Sequence, residues 1–214
     1  MSRTIEPPPR ATRRAEVYAT PTAGRSPSDD DYAAFGNVPT RNGLQARVEI
    51  PLMLWTLQIP RGGRVLEVGC GRGVALPVLS ARLAPASLTG IDVDAALVAA
   101  AERRVAAARV PNADVLHADV RALPFDDASF DLVIDFGTCY HVSGGIAGSL
   151  AALREIARVL RPGGLFVHET RVAQHLAHPV RAFGRTVPWM AEPALVPDRA
   201  ALLWSVRRRR VARA

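Results

Sequence analysis

Apolar positions along the chain fall into two alternating rhythms. Val65, Leu66 and Val68 form a short aliphatic run that stops at Gly69, Gly71 and Gly73. Val74, Leu76, Val78, Leu79 and Leu83 then recur at near-helical spacing, so Arg64 to Leu83 predicts strand, glycine-rich turn and helix. The rhythm repeats. Ser87 to Val93 reads as a second strand ending in Asp92, and Asp94 is placed to cap an alanine-rich helix over 95–108. Ala113 to Val120 reads as a third strand with Asp119 near its end. Phe130 to Ile134 is nearly continuous in apolar residues, as expected of a strand covered on both faces. Leu150, Leu153, Ile156, Val159 and Leu160 lie on one face of a helix over 149–160. Arg161-Pro162-Gly163-Gly164 stops that helix, and Leu165 to Glu169 makes a fifth strand. Strands alternating with helices predict an α/β fold: a doubly wound, mostly parallel sheet with helices on both faces.

The flanks are less regular. Residues 1–28, with Pro7-Pro8-Pro9 and no periodicity, predict a disordered tail. Segment 29–60 predicts N-terminal helices: a first turn after Asp29, Asp30 and Asp31, a loop from Gly36 to Gly43, and a helix over 44–57 broken or kinked near Pro51. The main domain should span 61–206. Within it a helix is expected over 172–183, and a last strand over 200–209 should give an antiparallel edge near the C-terminus. Residues 207–214 are then a basic tail or the end of that strand.

Composition narrows the class. With 214 residues, 49% of them hydrophobic, one substantial core is expected. No run reaches the ~18 apolar residues of a membrane span and the N-terminus lacks a secretory apolar segment, so a cytoplasmic protein is expected. The two cysteines, Cys70 and Cys139, show no metal-ligand spacing, no other metal cluster is evident, and reduced thiols are expected. Arg207 to Arg210 and Arg213 carry five of the seven net positive charges, so the body is nearly neutral and a nucleic-acid signal would be confined to the tail. The absence of lysine excludes Schiff-base chemistry.

The chemistry is concentrated where strands end. A dinucleotide fingerprint puts its third glycine three positions after the second, a place held here by Val74. This chain has Gly73 one step earlier, and Glu67 before the turn. The pattern E-x-G-x-G-x-G resembles motif I of the class I S-adenosylmethionine-dependent methyltransferases, and the resemblance continues through Thr170 toward small-molecule, type 11-like members. It implies a Rossmann-like fold, S-adenosylmethionine as cofactor, and methyl transfer to a small-molecule acceptor by in-line displacement. By that resemblance Glu67, Gly69, Cys70, Gly71 and Gly73 hold the methionine end and Asp92 the ribose. Asp119 and the Val120 backbone meet the adenine edge, with Val93 and Val120 as apolar walls. The segment Asp135 to His141 supplies candidate catalytic residues, Asp135, Tyr140 and His141, of which His141 is the best placed chemically to take a proton near neutrality. Tyr32 and Arg41 are candidate pocket residues in the N-terminal helices. Two other classes compete. A nucleic-acid methyltransferase or RNA-binding protein would use the arginine run, although Phe136 to Cys139 do not form an N-P-P-Y-like loop. A nucleotide-dependent oxidoreductase would explain the glycines and Asp92 but not Glu67 or Asp119.

Overall fold

Seven strands make one sheet in the order β3-β2-β1-β4-β5-β7-β6 in a computed structural model that describes residues 38–140, 142–171, 196–197 and 202–208. The strands are β1 (Arg64–Val68), β2 (Ser87–Asp92), β3 (Ala113–His117), β4 (Phe130–Asp135), β5 (Leu160–Arg171), β6 (Val196–Pro197) and β7 (Leu202–Arg208). The first five run parallel, so their carboxyl ends share one edge of the sheet. The chain crosses from β1 outward to β2 and β3, then returns to the other side of β1 with β4. This reversal leaves a crevice outside the carboxyl ends of β1 and β4, where such folds bind ligands.

Alternating side chains divide the core into two layers. Leu66, Val68, Ile91, Val133 and Phe166 face α5 (Gly145–Val159), which buries Ala152, Leu153 and Ile156 against them. Val65, Leu88, Leu132, Ile134 and Val167 face the other way, toward α2 (Ile50–Thr56) and α3 (Leu76–Leu83). Each fully buried aliphatic side chain contributes roughly 1.5–3 kcal/mol, so both faces are firmly held. Asp94 caps α4 (Ala95–Ala107) as expected, accepting from the backbone N–H of Ala96 at 2.8 Å and of Leu97 at 3.3 Å. Near the end of α5, Arg158 donates to the carbonyls of Leu123 at 2.9 Å and Phe125 at 2.7 Å, pinning the β3–β4 connection.

Two expectations are corrected. The antiparallel strand, β7, is not an edge: it inserts between β5 and β6, pairing antiparallel with both. Its arginines 207 and 208 lie inside the strand, in register with Phe166 and Leu165. The stretch from Gly36 is not all loop, because α1 starts at Val38 and runs to Leu44. A π-helical turn over Gln45–Glu49 then leads without a break into α2. Pro51 explains the turn: it lacks an N–H and its ring crowds the carbonyl four residues back. The helix absorbs this by widening, and the Ile50 N–H reaches the Gln45 carbonyl five residues back. The expected kink is thus a bulge, and Ile50, Met53 and Leu54 remain packed on the sheet. Tyr32 and the helix expected over 172–183 lie outside the described residues.

Candidate functional site

The glycine turn, the end of β2 and the end of β4 converge at the carboxyl edge. Gly69, Gly71 and Gly73 have φ of +64°, +53° and +70°, a left-handed backbone that glycine adopts without a Cβ penalty. Their surroundings separate three roles. At Gly69 a Cβ would collide with the Thr138 side chain, so this glycine lets the turn after β4 close over β1. At Gly73 a Cβ would meet the Ala101 Cβ at 2.9 Å and its Cα at 3.0 Å, so this glycine seats the turn against α4. At Gly71 a Cβ would meet nothing within 4 Å. Only the middle glycine borders open space. Cys70 buries its side chain in the α2–α3 layer, where burial and the nearby Glu67 and Asp92 push its thiol far up, and its Sγ lies 3.9 Å from the Gly71 carbonyl.

Three buried carboxyl groups surround this turn. Asp92 is fixed at the end of β2, its two oxygens accepting from the backbone N–H of Gly71 at 2.8 Å and of Asp94 at 3.0 Å. Burial raises its pKa, and those two hydrogen bonds oppose the rise. Glu67 points to the opposite face of β1 from Val68, and its Oε2 is buried without a hydrogen-bond partner among the described residues. Burial first, then the charges of Asp92 and Asp135, push its pKa up to about 8. Asp135 is fully buried and is the most heavily bonded of the three. It accepts from the N–H of Thr138 at 2.6 Å and of Cys139 at 3.2 Å, and its Oδ2 lies 2.8 Å from His168 Nδ1. Burial alone would raise its pKa, but His168 first, and then the thiol and amide of Cys139, outweigh it and hold the carboxyl below its usual range.

His168 was missed in the sequence. It stands in register with Asp135 on the neighbouring strand, yet the two are 33 residues apart and no local spacing connects them. The one signal was a polar H-E-T ending an otherwise apolar strand. Together Asp135 and His168 hold the 3-10 turn Thr138–Tyr140, which Ser149 also secures by donating from Oγ to the Cys139 carbonyl at 2.7 Å. Tyr140 ends that turn; His141 lies outside the described residues.

On the β3 side, Asp119 lies two residues past the strand and is clamped by Arg121, whose Nε is 3.0 Å from each carboxylate oxygen and whose Nη2 is 2.5 Å from Oδ2. Burial raises its pKa, but the hydrogen bonds and charge of Arg121 prevail and hold it below the ordinary value. Arg121 also donates from Nη1 to Ser143 Oγ at 2.8 Å, tying the end of β3 to the loop before α5. Val120 is buried and Val93 is half exposed, an apolar surface beside Asp92 open to a ligand.

These features fit S-adenosylmethionine. An open cradle at Gly71, a buried Glu67 oxygen lacking a partner among the described residues, and a cluster of acids suit a ligand with a cationic end and hydroxyl groups. The same acids would repel a pyrophosphate, which argues against a dinucleotide.

Comparison with known proteins agrees. The curated relatives include a phthiotriol/phenolphthiotriol dimycocerosates methyltransferase of Mycobacterium tuberculosis, 36% identical over 146 residues, which are 66% of this chain and 47% of that protein. A fatty-acid O-methyltransferase of Mycolicibacterium smegmatis is 36% identical over 107 residues, 50% of this chain and 36% of that one. The chain thus spans about half or less of the length of the curated relatives it matches. Among solved structures, an S-adenosylmethionine-dependent methyltransferase from Aquifex aeolicus has TM-score 0.68 and 19% identity, covering 77% of this chain and 92% of that one. The [4+2]-cyclase SpnF has TM-score 0.60 and 22% identity over 76% of this chain and 80% of that one, so these likenesses speak for the fold alone. Residues 65–164, just under half of the chain, match the family described as "Methyltransferase domain", and the glycine turn and its acids all lie inside that stretch.

Proposed function

We propose that the protein transfers a methyl group from S-adenosylmethionine to an oxygen of a small-molecule acceptor that carries a long acyl chain. The buried Glu67 carboxyl beside the open Gly71 turn carries the cofactor assignment, since that pairing asks for a cationic ligand. The relatives that act on fatty acids and phthiotriol dimycocerosates support the acceptor class.

S-adenosylmethionine supplies a methyl group bound to a positively charged sulfur, already activated toward a nucleophile. The protein's part is positioning and exclusion of water. In this reading Gly69 to Gly73 and Glu67 hold the methionine end, Asp92 the ribose, and Asp119 with Val93 and Val120 the adenine. Held by these residues, the cofactor would supply its methyl group to the acceptor oxygen, a C–O bond replacing the C–S bond and the electron pair of the latter remaining on sulfur. A carboxylate acceptor needs no base. For a hydroxyl acceptor, Tyr140 and His141 are the candidates to take the proton, while Asp135, buried under three donors, positions their turn. Segment 29–60 borders the acceptor side in the same reading.

The RNA alternative is disfavoured by topology. β7 runs antiparallel, with Leu202 beside Arg171 at the site edge and Arg208 beside Leu165 toward the opposite edge, so Arg207 and Arg208 lie away from the site. Calorimetry with S-adenosylmethionine and S-adenosylhomocysteine, followed by labelled methyl transfer to fatty acids of graded length, tests the proposal. Micromolar cofactor binding and turnover that rises with chain length are expected. Binding of NAD with none of S-adenosylmethionine would overturn it.

A further inference from the structure

Among the described residues, the helical run from Val38 to Thr56 leaves an apolar stripe uncovered. Leu44 is 46% exposed, Val48 50%, Leu52 42% and Trp55 77%. Their spacing of four, four and three residues keeps them on one face through the π turn, while Glu49, Ile50, Met53 and Leu54 on the other face are buried. The stripe extends about 17 Å along the helix and exposes roughly 400 Å² of side chain, a size that marks an interaction surface. A tryptophan more than three-quarters exposed at its end is the residue best suited to the boundary between lipid and water.

The charges within the run and just after it indicate what covers the stripe. Arg47 and Arg61 are exposed, and the sole acid between residues 38 and 61, Glu49, is buried. An isologous helix pair would bring like-charged Arg47 side chains together with no exposed acid to meet them. Its buried area would also fall short of the roughly 800 Å² per partner of a stable interface. An anionic bilayer satisfies both features, taking the apolar side chains among its headgroups and the guanidiniums against its phosphates. No helix among the described residues is long and apolar enough to cross a membrane, so the contact is peripheral.

We propose that this helical run docks the protein on an anionic lipid bilayer through Leu44, Val48, Leu52 and Trp55, with Arg47 and Arg61 reading the surface charge. The inference stands on the helix itself and goes beyond the acceptor assignment. It gives that assignment a source of acyl-chain acceptors, but its evidence is independent of it.

The test is sedimentation of the full chain with vesicles of equal parts phosphatidylglycerol and phosphatidylcholine, or of phosphatidylcholine alone. The protein should pellet with the anionic vesicles and more weakly with the neutral ones. Trp55→Ala should lower the partition coefficient about tenfold or more. Arg47→Gln should lower it about fivefold on anionic vesicles and leave neutral ones unchanged. Both substitutions are at exposed positions, so melting temperatures should stay near wild type. Absence of binding to anionic vesicles overturns the proposal, as does Trp55→Ala pelleting like wild type. A lipid-free dimer that Trp55→Ala converts to monomer overturns it in favour of a second copy. Methyl transfer to soluble short-chain acids, measured without vesicles, judges the acceptor reading separately.

Discussion

Replacing Glu67 with glutamine should make the protein less sensitive to alkaline pH, and the size of the effect follows from the burial of that carboxyl. Glu67 is held near a pKa of about 8 against an ordinary 4.5 by burial and by the neighbouring Asp92 and Asp135 charges. The folded state therefore binds a proton that the unfolded state releases. Stability from this group is fully present below pH 4.5 and is lost as pH rises through about 8. Each pH unit inside that window costs about 1.4 kcal/mol, so moving from pH 6 to 8 should cost wild type about 2 kcal/mol that Glu67→Gln does not lose. For a chain of this length that corresponds to about 4–8 °C in melting temperature. Thermal melts of both proteins at pH 6 and 8, without ligand, measure the difference directly. Parallel pH profiles, or a wild type that gains on Glu67→Gln as pH rises, would show that Glu67 is ionised in the folded state and refute the reasoning.

Other substitutions separate the roles within the site. Asp92→Ala should weaken S-adenosylmethionine binding tenfold or more by calorimetry, since hydrogen bonds to a charged group contribute roughly 1.5–3 kcal/mol each. It should also loosen the turn, because Asp92 holds the Gly71 and Asp94 amides. Gly71→Ala should cost only about 1 kcal/mol of stability, the left-handed backbone being its sole penalty, yet abolish cofactor binding. Gly73→Ala should cost about 2–4 kcal/mol in urea unfolding, because its Cβ would press on the Ala101 backbone. Equal stability losses at the two positions would contradict this division. His168→Ala should cost about 3–5 kcal/mol in the same assay by leaving Asp135 buried beside a missing partner; a loss below about 1 kcal/mol would remove the pair from the account.

What could be read in the sequence was whatever depended on neighbours along the chain. The turn after β1, the acids closing β2 and β4, and the Asp94 cap each arise from a few consecutive residues, and each falls where the patterning predicts. What escaped depended on contacts made across the fold. Pro39 and Gly43 suggested loop, but the packing of Ile50, Met53 and Leu54 sustains a helix that reaches back to Val38 and takes up the Pro51 defect as a wider turn. The three glycines looked equivalent, whereas Thr138 and Ala101, from distant parts of the chain, distinguish them. Asp119 stood out as an acid past a strand end, but nothing in that pattern showed that Arg121 would clamp it and also reach Ser143.

The insertion of β7 has a consequence for biosynthesis. Seven positions of β5, from Leu165 to Arg171, find their partners on the side away from β4 in residues 202–208. While a ribosome is still delivering those residues, β4 and the strands before it can already assemble, but the outer side of β5 presents a bare row of backbone donors and acceptors. Such a row invites pairing with another chain. The nascent protein is therefore most exposed to misassembly in the interval between making β5 and making β7, when a holding chaperone would do the most good.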